Sequence, residues 1–311
     1  MNKIKQILPI TLLFLFIILL FNNNYILIKS VIDGTNLWLT KVFPSLFIMF
    51  ILNDIIINLN LLSILNKYIN PIFNKIFKTT KDSSNAFLLS VFSGTPSAAF
   101  IIKEMMLNKK ININDANKLI SFTFFSNPLF LYNILNQSFN KFITIKIIII
   151  HYISNIIIGL IMNYNYLKKD INKYNEINNS NNKNIFILLP KSIKKSLDTL
   201  LMILGTIVFY MIITNLITSI IPISNTLDII IKGLLEITQS LNMLPTLNIN
   251  SLIKEIIAIS IISFGGLSIH TQVLSIINDT KINYKNFFIG RILHVLISAN
   301  TYLLINLCIP S

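Results

Sequence analysis

The side chains best able to do chemistry in this chain lie where it is otherwise most apolar. Glu236 falls in LLEITQS (234–240) and His270 in FGGLSIHTQ (264–272), each a polar interruption inside a long apolar stretch. The first half carries two interruptions at matching places, SGTPS (93–97) and SNP (126–128). Ionisable groups are costly within a bilayer and usually mark the route of an ion or solute. Backbone freed from helix at that depth must be satisfied by protein or by a water-lined cavity, so converging breaks imply a polar centre. The expected pathway set is therefore Glu236, His270, Ser93, Thr95, Ser97, Ser126, Asn127, Thr238, Gln239, Ser268 and Gln272, with His151, Arg291 and His294 as secondary candidates. Plainer readings stand beside these. The small residues can serve close helix packing, Glu236 can accept from its own hairpin's backbone, His270 can be a neutral hydrogen-bonding residue, and Arg291 can snorkel to an interface.

Bond-making chemistry is not expected. There is no HExxH, GxSxG, P-loop or GxGxxG, and the three histidines lie on separate segments without carboxylates at metal-ligand spacing. The reading is of a non-enzyme with no metal and no cofactor. Cys308 is the single cysteine, which excludes an intramolecular disulfide and any cysteine-based cluster.

The elements that must position these groups follow from composition. Of 311 residues 53% are hydrophobic and 12% charged, with a mean hydropathy of +0.69, values outside the range of soluble domains. Apolar blocks of about 17 to 25 residues match the length of helix that crosses a bilayer. They fall near 8–28, 37–59, 86–107, 117–135, 142–163, 198–221, 227–244, 252–278 and 287–309. Runs such as LPITLLFLFIILLF lack the two-residue alternation of a membrane barrel. The first block has no small-residue cleavage site after it and reads as an uncleaved helix. Segments 61–78 and 185–197 mix lysines with apolar residues and are expected to lie in the interface as amphipathic helices.

The net charge of +14 comes from lysines between the blocks, which is an orientation signal and not a nucleic-acid footprint. Full crossing by all nine blocks would place Lys110 and Lys118 opposite Lys75 and Lys81. Letting 86–107 and 227–244 enter and return removes that conflict, and the SGTPSAA break permits the turn. Six lysines (Lys29, Lys41, Lys141, Lys146, Lys232, Lys254) then face outward and nineteen face the cytoplasm. The expected protein is all-α and polytopic, with about seven transmembrane helices plus two re-entrant hairpins in two inverted repeats, and a cytoplasmic N-terminus. Its parts are an N-terminal helix (1–30), a first repeat (31–163), a polar linker (164–184) and a second repeat (185–311).

These same stretches carry a family resemblance. FPSLFIMFIL (43–52), SGTPSAAFIIKEM (93–105), FFSNPLFLYNIL (124–135), LLEITQS, FGGLSIHTQVLSI (264–276) and GRILH (290–294) resemble, in order and spacing, the sporulation integral membrane protein YlbJ family of the nucleoside-recognition or Gate group. That family tends to have a Gly-rich version of the SGTP stretch and a glycine where this chain has Ser240. The resemblance implies a multi-pass protein in a cell or forespore-surrounding membrane of a Gram-positive spore former, acting in spore cortex formation. The expected work is transport or gating of a small polar solute; a non-transporting scaffold for cortex assembly is the alternative. Expected partners are the lipid bilayer, that solute, other sporulation membrane proteins and further copies of the chain, with no nucleic acid.

Overall fold

The computed structural model describes residues 10, 11, 14, 16–59, 61, 63–80, 82–164, 184–220 and 223–308. The expected linker lies outside the described residues except for Tyr164 and Asn184, as do Lys3, Lys5 and Lys81. Among the described residues all regular structure is helical.

The chain leaves helical geometry at Asn23 (φ −121°, ψ 42°) and doubles back. Upstream, Phe16 reaches Phe209, whereas downstream Asn215 donates to Ser30 Oγ. Helix α1 (Asn24–Leu37) runs through a π-helical turn at Trp38–Val42 into α2 (Phe43–Asn58). This corrects the expected loop between separate spans at 8–28 and 37–59: the polar residues near 30–36 stay helical because they pack on a neighbour. Ser30 is buried, and a side chain on Gly34 would meet Val208 and Met211.

Next come α3 (Ser63–Phe77), α4 (Ser83–Ser93), α5 (Ser97–Leu107), α6 (Ile113–Phe122), α7 (Pro128–Leu135) and α8 (Lys141–Tyr164). The second half has α9 (Ile185–Ile220), α10 (Asn225–Leu235), α11 (Ile237–Met243), α12 (Ser251–Phe264), α13 (Gly266–Ile277) and α14 (Tyr284–Cys308). Apart from α3, which has no counterpart between α9 and α10, both halves follow one order: long helix, two short helices about a break, two more about a break, long helix. The amphipathic segment expected at 185–197 is instead the first part of α9. Ser192 and Lys195 bond the Asp54 carboxylate at 2.7 and 2.8 Å, which ties that segment to α2.

The breaks differ in kind. α4 packs against α5 and α10 against α11, so these pairs are hairpins, whereas the segments of α6–α7 and α12–α13 continue onward. Ser240 Oγ donates to Ile229 O at 2.7 Å, closing the second hairpin across its two arms. The first hairpin begins and ends at one end of the bundle, since Thr80 Oγ1 donates to Asp115 at 2.5 Å. Among the described residues five helical stretches are long and apolar enough to cross a membrane: Asn24–Asn58, Lys141–Met162, Ile185–Ile220, Ser251–Ile277 and Tyr284–Cys308.

Among the described residues three apolar clusters hold the bundle. One joins α3 to α6 with α8, α13 and α14 around Phe77, Phe122 and Phe287; a second joins α7, α8, α10, α11, α12 and α14 around Leu131, Leu241 and Tyr302. The third is a seam between α1–α2 and α9, through Trp38, Leu46, Leu200 and Ile207.

Candidate functional site

Each break is held by local polar groups whose types explain where the helices stop. Gly94 (φ +72°) ends α4 in a conformation that L side chains avoid, and a Cβ there would lie 2.6 Å from the Asn127 nitrogen. Asn127 in turn caps α7, its Oδ1 accepting from Leu129 N at 2.9 Å and Phe130 N at 3.1 Å while its Nδ2 donates to Phe92 O. In the second half Glu236 caps α11: Gln239 N donates to Oε2 at 2.7 Å and Thr238 Oγ1 to Oε1 at 2.9 Å. Gly265, left-handed at φ +88°, separates α12 from α13. In both halves, then, the hairpin tip rests on the adjoining broken helix.

The four breaks meet at a cavity of about 50 Å³. Thr95, Ser126, Asn127, Glu236, Thr238, Ser268 and Gln272 line its polar side; Val42, Leu46, Ile203 and Ile207 of the α2–α9 seam line its apolar side. Its volume exceeds the ~10–15 Å³ a water requires, so it has room for a few waters. Glu236 is the one charged residue in that lining, and the Ser268 hydroxyl is buried without a hydrogen-bond partner. Gln272 donates to Thr206 Oγ1 at 2.6 Å. The arrangement suits reversible binding of a group that offers hydrogen-bond donors to a carboxylate.

Four expected pathway residues lie off the cavity wall. Ser93 is buried behind Gly94, and Ser97 starts α5. Gln239 turns outward to Asn215 Oδ1 at 2.7 Å, extending a polar chain to Ser30. His270, two residues from Ser268 and from Gln272, points to the other side of α13. There its Nε2 donates to Phe264 O at 3.2 Å and its Nδ1 accepts from the Tyr284 hydroxyl at 2.7 Å.

The three secondary candidates form a separate buried group. Arg291 is fully buried, so it is no interfacial snorkelling cation. Among the described residues no carboxylate pairs with it; its guanidinium lies 3.9 Å from the Phe124 ring centre and bonds carbonyls, Asn155 and His294. The rings of His151 and His294 are in contact, tilted by 34° with centres 4.6 Å apart.

Sequence reasoning missed Asn155 and Glu255. Asn155 links Phe124 O to Arg291, yet in an Asn-rich chain it carries no distinguishing signal. Glu255 is 1% exposed and accepts from the Tyr302 hydroxyl at 2.5 Å and Ser251 at 2.7 Å; a carboxylate inside the 252–278 block was the available signal.

Fold and cavity together define a multi-pass α-helical membrane protein whose interrupted helices meet in its interior. No family model matches the chain, and no solved structure matches it. The chain is similar to the sporulation integral membrane protein YlbJ of Bacillus subtilis (strain 168), at 25% identity over 303 residues covering 86% of this chain and 74% of that protein. The likeness extends well beyond the short motifs and supports the YlbJ family.

Proposed function

We propose that the protein moves or gates a small polar solute across a membrane of the spore-forming cell while the spore cortex is built. The observation that carries this reading is the convergence of four helix breaks, two from each half, on a cavity whose one charged lining group is Glu236. A carboxylate and an unpartnered hydroxyl in a membrane interior are costly unless they serve a ligand or an ion. We read the two halves as inverted repeats, each with an odd number of crossings, with the lysine-rich end and the N-terminus in the cytoplasm. A solute larger than a few waters enters only if the walls part.

A non-transporting scaffold for cortex assembly would leave the cavity without a use. The distinguishing experiment is reconstitution of the full chain into liposomes with a panel of nucleosides and cell-wall metabolites, comparing the native protein with Glu236→Gln. Saturable uptake that the substitution abolishes supports transport. Absence of uptake across the panel, together with normal spore maturation in a Glu236→Gln strain, would retire the transport reading.

A further inference from the structure

The group around Arg291 lies outside the cavity yet is bonded to its Ser126 wall through His151 and approaches, at Ser263 O, the end of the helix that leads into the Ser268–Gln272 wall. α14 reaches it because residue 290 is glycine: a Cβ there would strike the Ser121 carbonyl, so only glycine lets α14 close on the last turn of α6. Arg291 Nη2 then donates to Ser121 O at 3.0 Å and to Asn155 Oδ1 at 3.2 Å, while Nη1 donates to His294 Nδ1 at 2.8 Å and approaches Ser263 O at 3.5 Å. Ser121 and Ser263 are equivalent, each the next-to-last residue of the helix that precedes a break, α6 in one half and α12 in the other. The last carbonyls of a helix have no partners within it and carry the negative pole of its dipole, so a cation placed between two such ends replaces the missing carboxylate.

The hydrogen bonds also settle the histidine tautomers. His294 accepts at Nδ1 and therefore donates at Nε2, to His151 O at 3.0 Å. His151 Nε2 accepts from the backbone N–H of Ser126 at 3.1 Å, and Ser126 lines the cavity. The contacts thus run from the broken helix of one half, through Arg291 and two histidines, to the cavity-lining break of the other. His151 and His294 are each the eleventh residue of the last long helix of their half, which puts the two contacting rings where the halves meet.

We infer that Arg291 is a positioning residue: it clamps the C-terminal ends of α6 and α12 together and thereby sets the spacing between the Ser126–Asn127 wall and the Ser268–Gln272 wall of the cavity. It touches no solute. The guanidinium holds its donors apart in a planar fork, two Nη atoms sharing four acceptors, whereas an ammonium is a single point with three donors, so lysine is a poor replacement. The proposal rests on the cavity being the working site, but its test needs no solute.

The test uses the full chain in membranes, with Cys308→Ser removing the native thiol. Single cysteines replace Ser126 or Ser268 on the cavity walls, or Ser196, a buried serine on α9 near Asp54 that serves as a remote control. The rate of modification by methanethiosulfonate ethylammonium is compared among native Arg291, Arg291→Lys, Arg291→Met and His294→Gln. The clamp predicts that loosening it raises reactivity at both cavity positions by about ten-fold or more while Ser196→Cys stays unchanged. Unchanged cavity rates would overturn it. So would an equal rise at all three positions, or failure of all three variants to accumulate, since either outcome makes Arg291 a general fold element. If the native protein proves inactive in liposomes but the selective rise is seen, the transport reading fails and the clamp stands.

Discussion

At the residue scale, the two buried charges nearest the breaks occupy opposite poles of the half-helices. Glu236 caps the start of α11 and Arg291 meets the ends of α6 and α12, the placement that helix dipoles favour. Glu236→Gln keeps one acceptor oxygen and loses the other, so we expect a cost of about 1 kcal/mol with the protein still accumulating in the membrane. Its level by immunoblot checks this; disappearance of the protein would make the carboxylate a hairpin-stabilising group first. Gly290→Ala is expected to be worse for folding, because the new methyl meets backbone and not a movable side chain. An overpacking penalty of about 1–3 kcal/mol should appear as a lower midpoint of thermal unfolding in detergent, and an unchanged midpoint would mean that α14 can shift outward freely.

At the element scale, the first hairpin is the feature most open to test. Thr80 bonds Asp115, and Lys118 Nζ donates to Lys78 O at 3.1 Å, so the chain before α4 and the chain after α5 share one end of the bundle. Ser83 is buried, and the exposed probes are Lys78 and Asn108. Lys78→Cys and Asn108→Cys, each in a Cys308→Ser background, should react with an impermeant maleimide from the same side of sealed vesicles; labelling from opposite sides would turn the hairpin into a crossing.

That same end carries a link between the halves. Lys103 of α5 donates to both Asp279 carboxylate oxygens at 2.8 Å and to Ile276 O at 2.9 Å, covering the C-terminus of α13. Hydrogen bonding from Lys103 holds the Asp279 carboxyl below its ordinary value of 3.8. A depressed carboxyl adds stability above the ordinary value and loses it as pH falls through the lowered one. The unfolding midpoint of the native protein should therefore exceed that of Asp279→Asn near neutral pH, and the gap should close below about pH 4 and shrink at high salt. A gap that persists unchanged in acid would assign it to something other than the ion pair.

At the scale of the whole molecule, contacts sort the loops into two ends. Thr80, Lys103, Asp115, Asn117, Asp279 and Asn283 are joined at one, with Asp54 and Lys195 linked to it through Phe100 of α5. Lys146 with Asn306, and Glu255 with Tyr302, lie toward the other. α14 starts beside the first group and ends at exposed Cys308 near the second. If the lysine-rich end is cytoplasmic, native Cys308 should be labelled from outside intact cells, whereas Lys109→Cys in the Cys308→Ser background should need permeabilised cells. The reverse pattern would invert the molecule in the membrane and leave the fold untouched.

Block length, lysine spacing and the four interruptions were legible in the sequence because each is a one-dimensional consequence of the bilayer: thickness limits apolar length, and unpaired backbone must end a helix. That is why the breaks themselves can be read from the sequence, while of the eleven residues expected there Glu236, Thr95, Ser126, Asn127, Thr238, Ser268 and Gln272 line the cavity and Ser93, Ser97, Gln239 and His270 do not. Which way a side chain points from its helix is a matter of packing, and there periodicity alone was insufficient. His270 lies between two cavity residues in sequence but faces α14, because its imidazole meets Phe264 O and the Tyr284 hydroxyl. The polar stretch near 30–36 looked like a loop and is helix, since Ser30 and Gly34 found α9 to pack on. From the sequence Arg291 reads either as a secondary pathway candidate or as an interfacial cation; only the tertiary structure brings it the ends of two helices, whose carbonyl dipoles belong to backbone geometry and leave no mark on residue type.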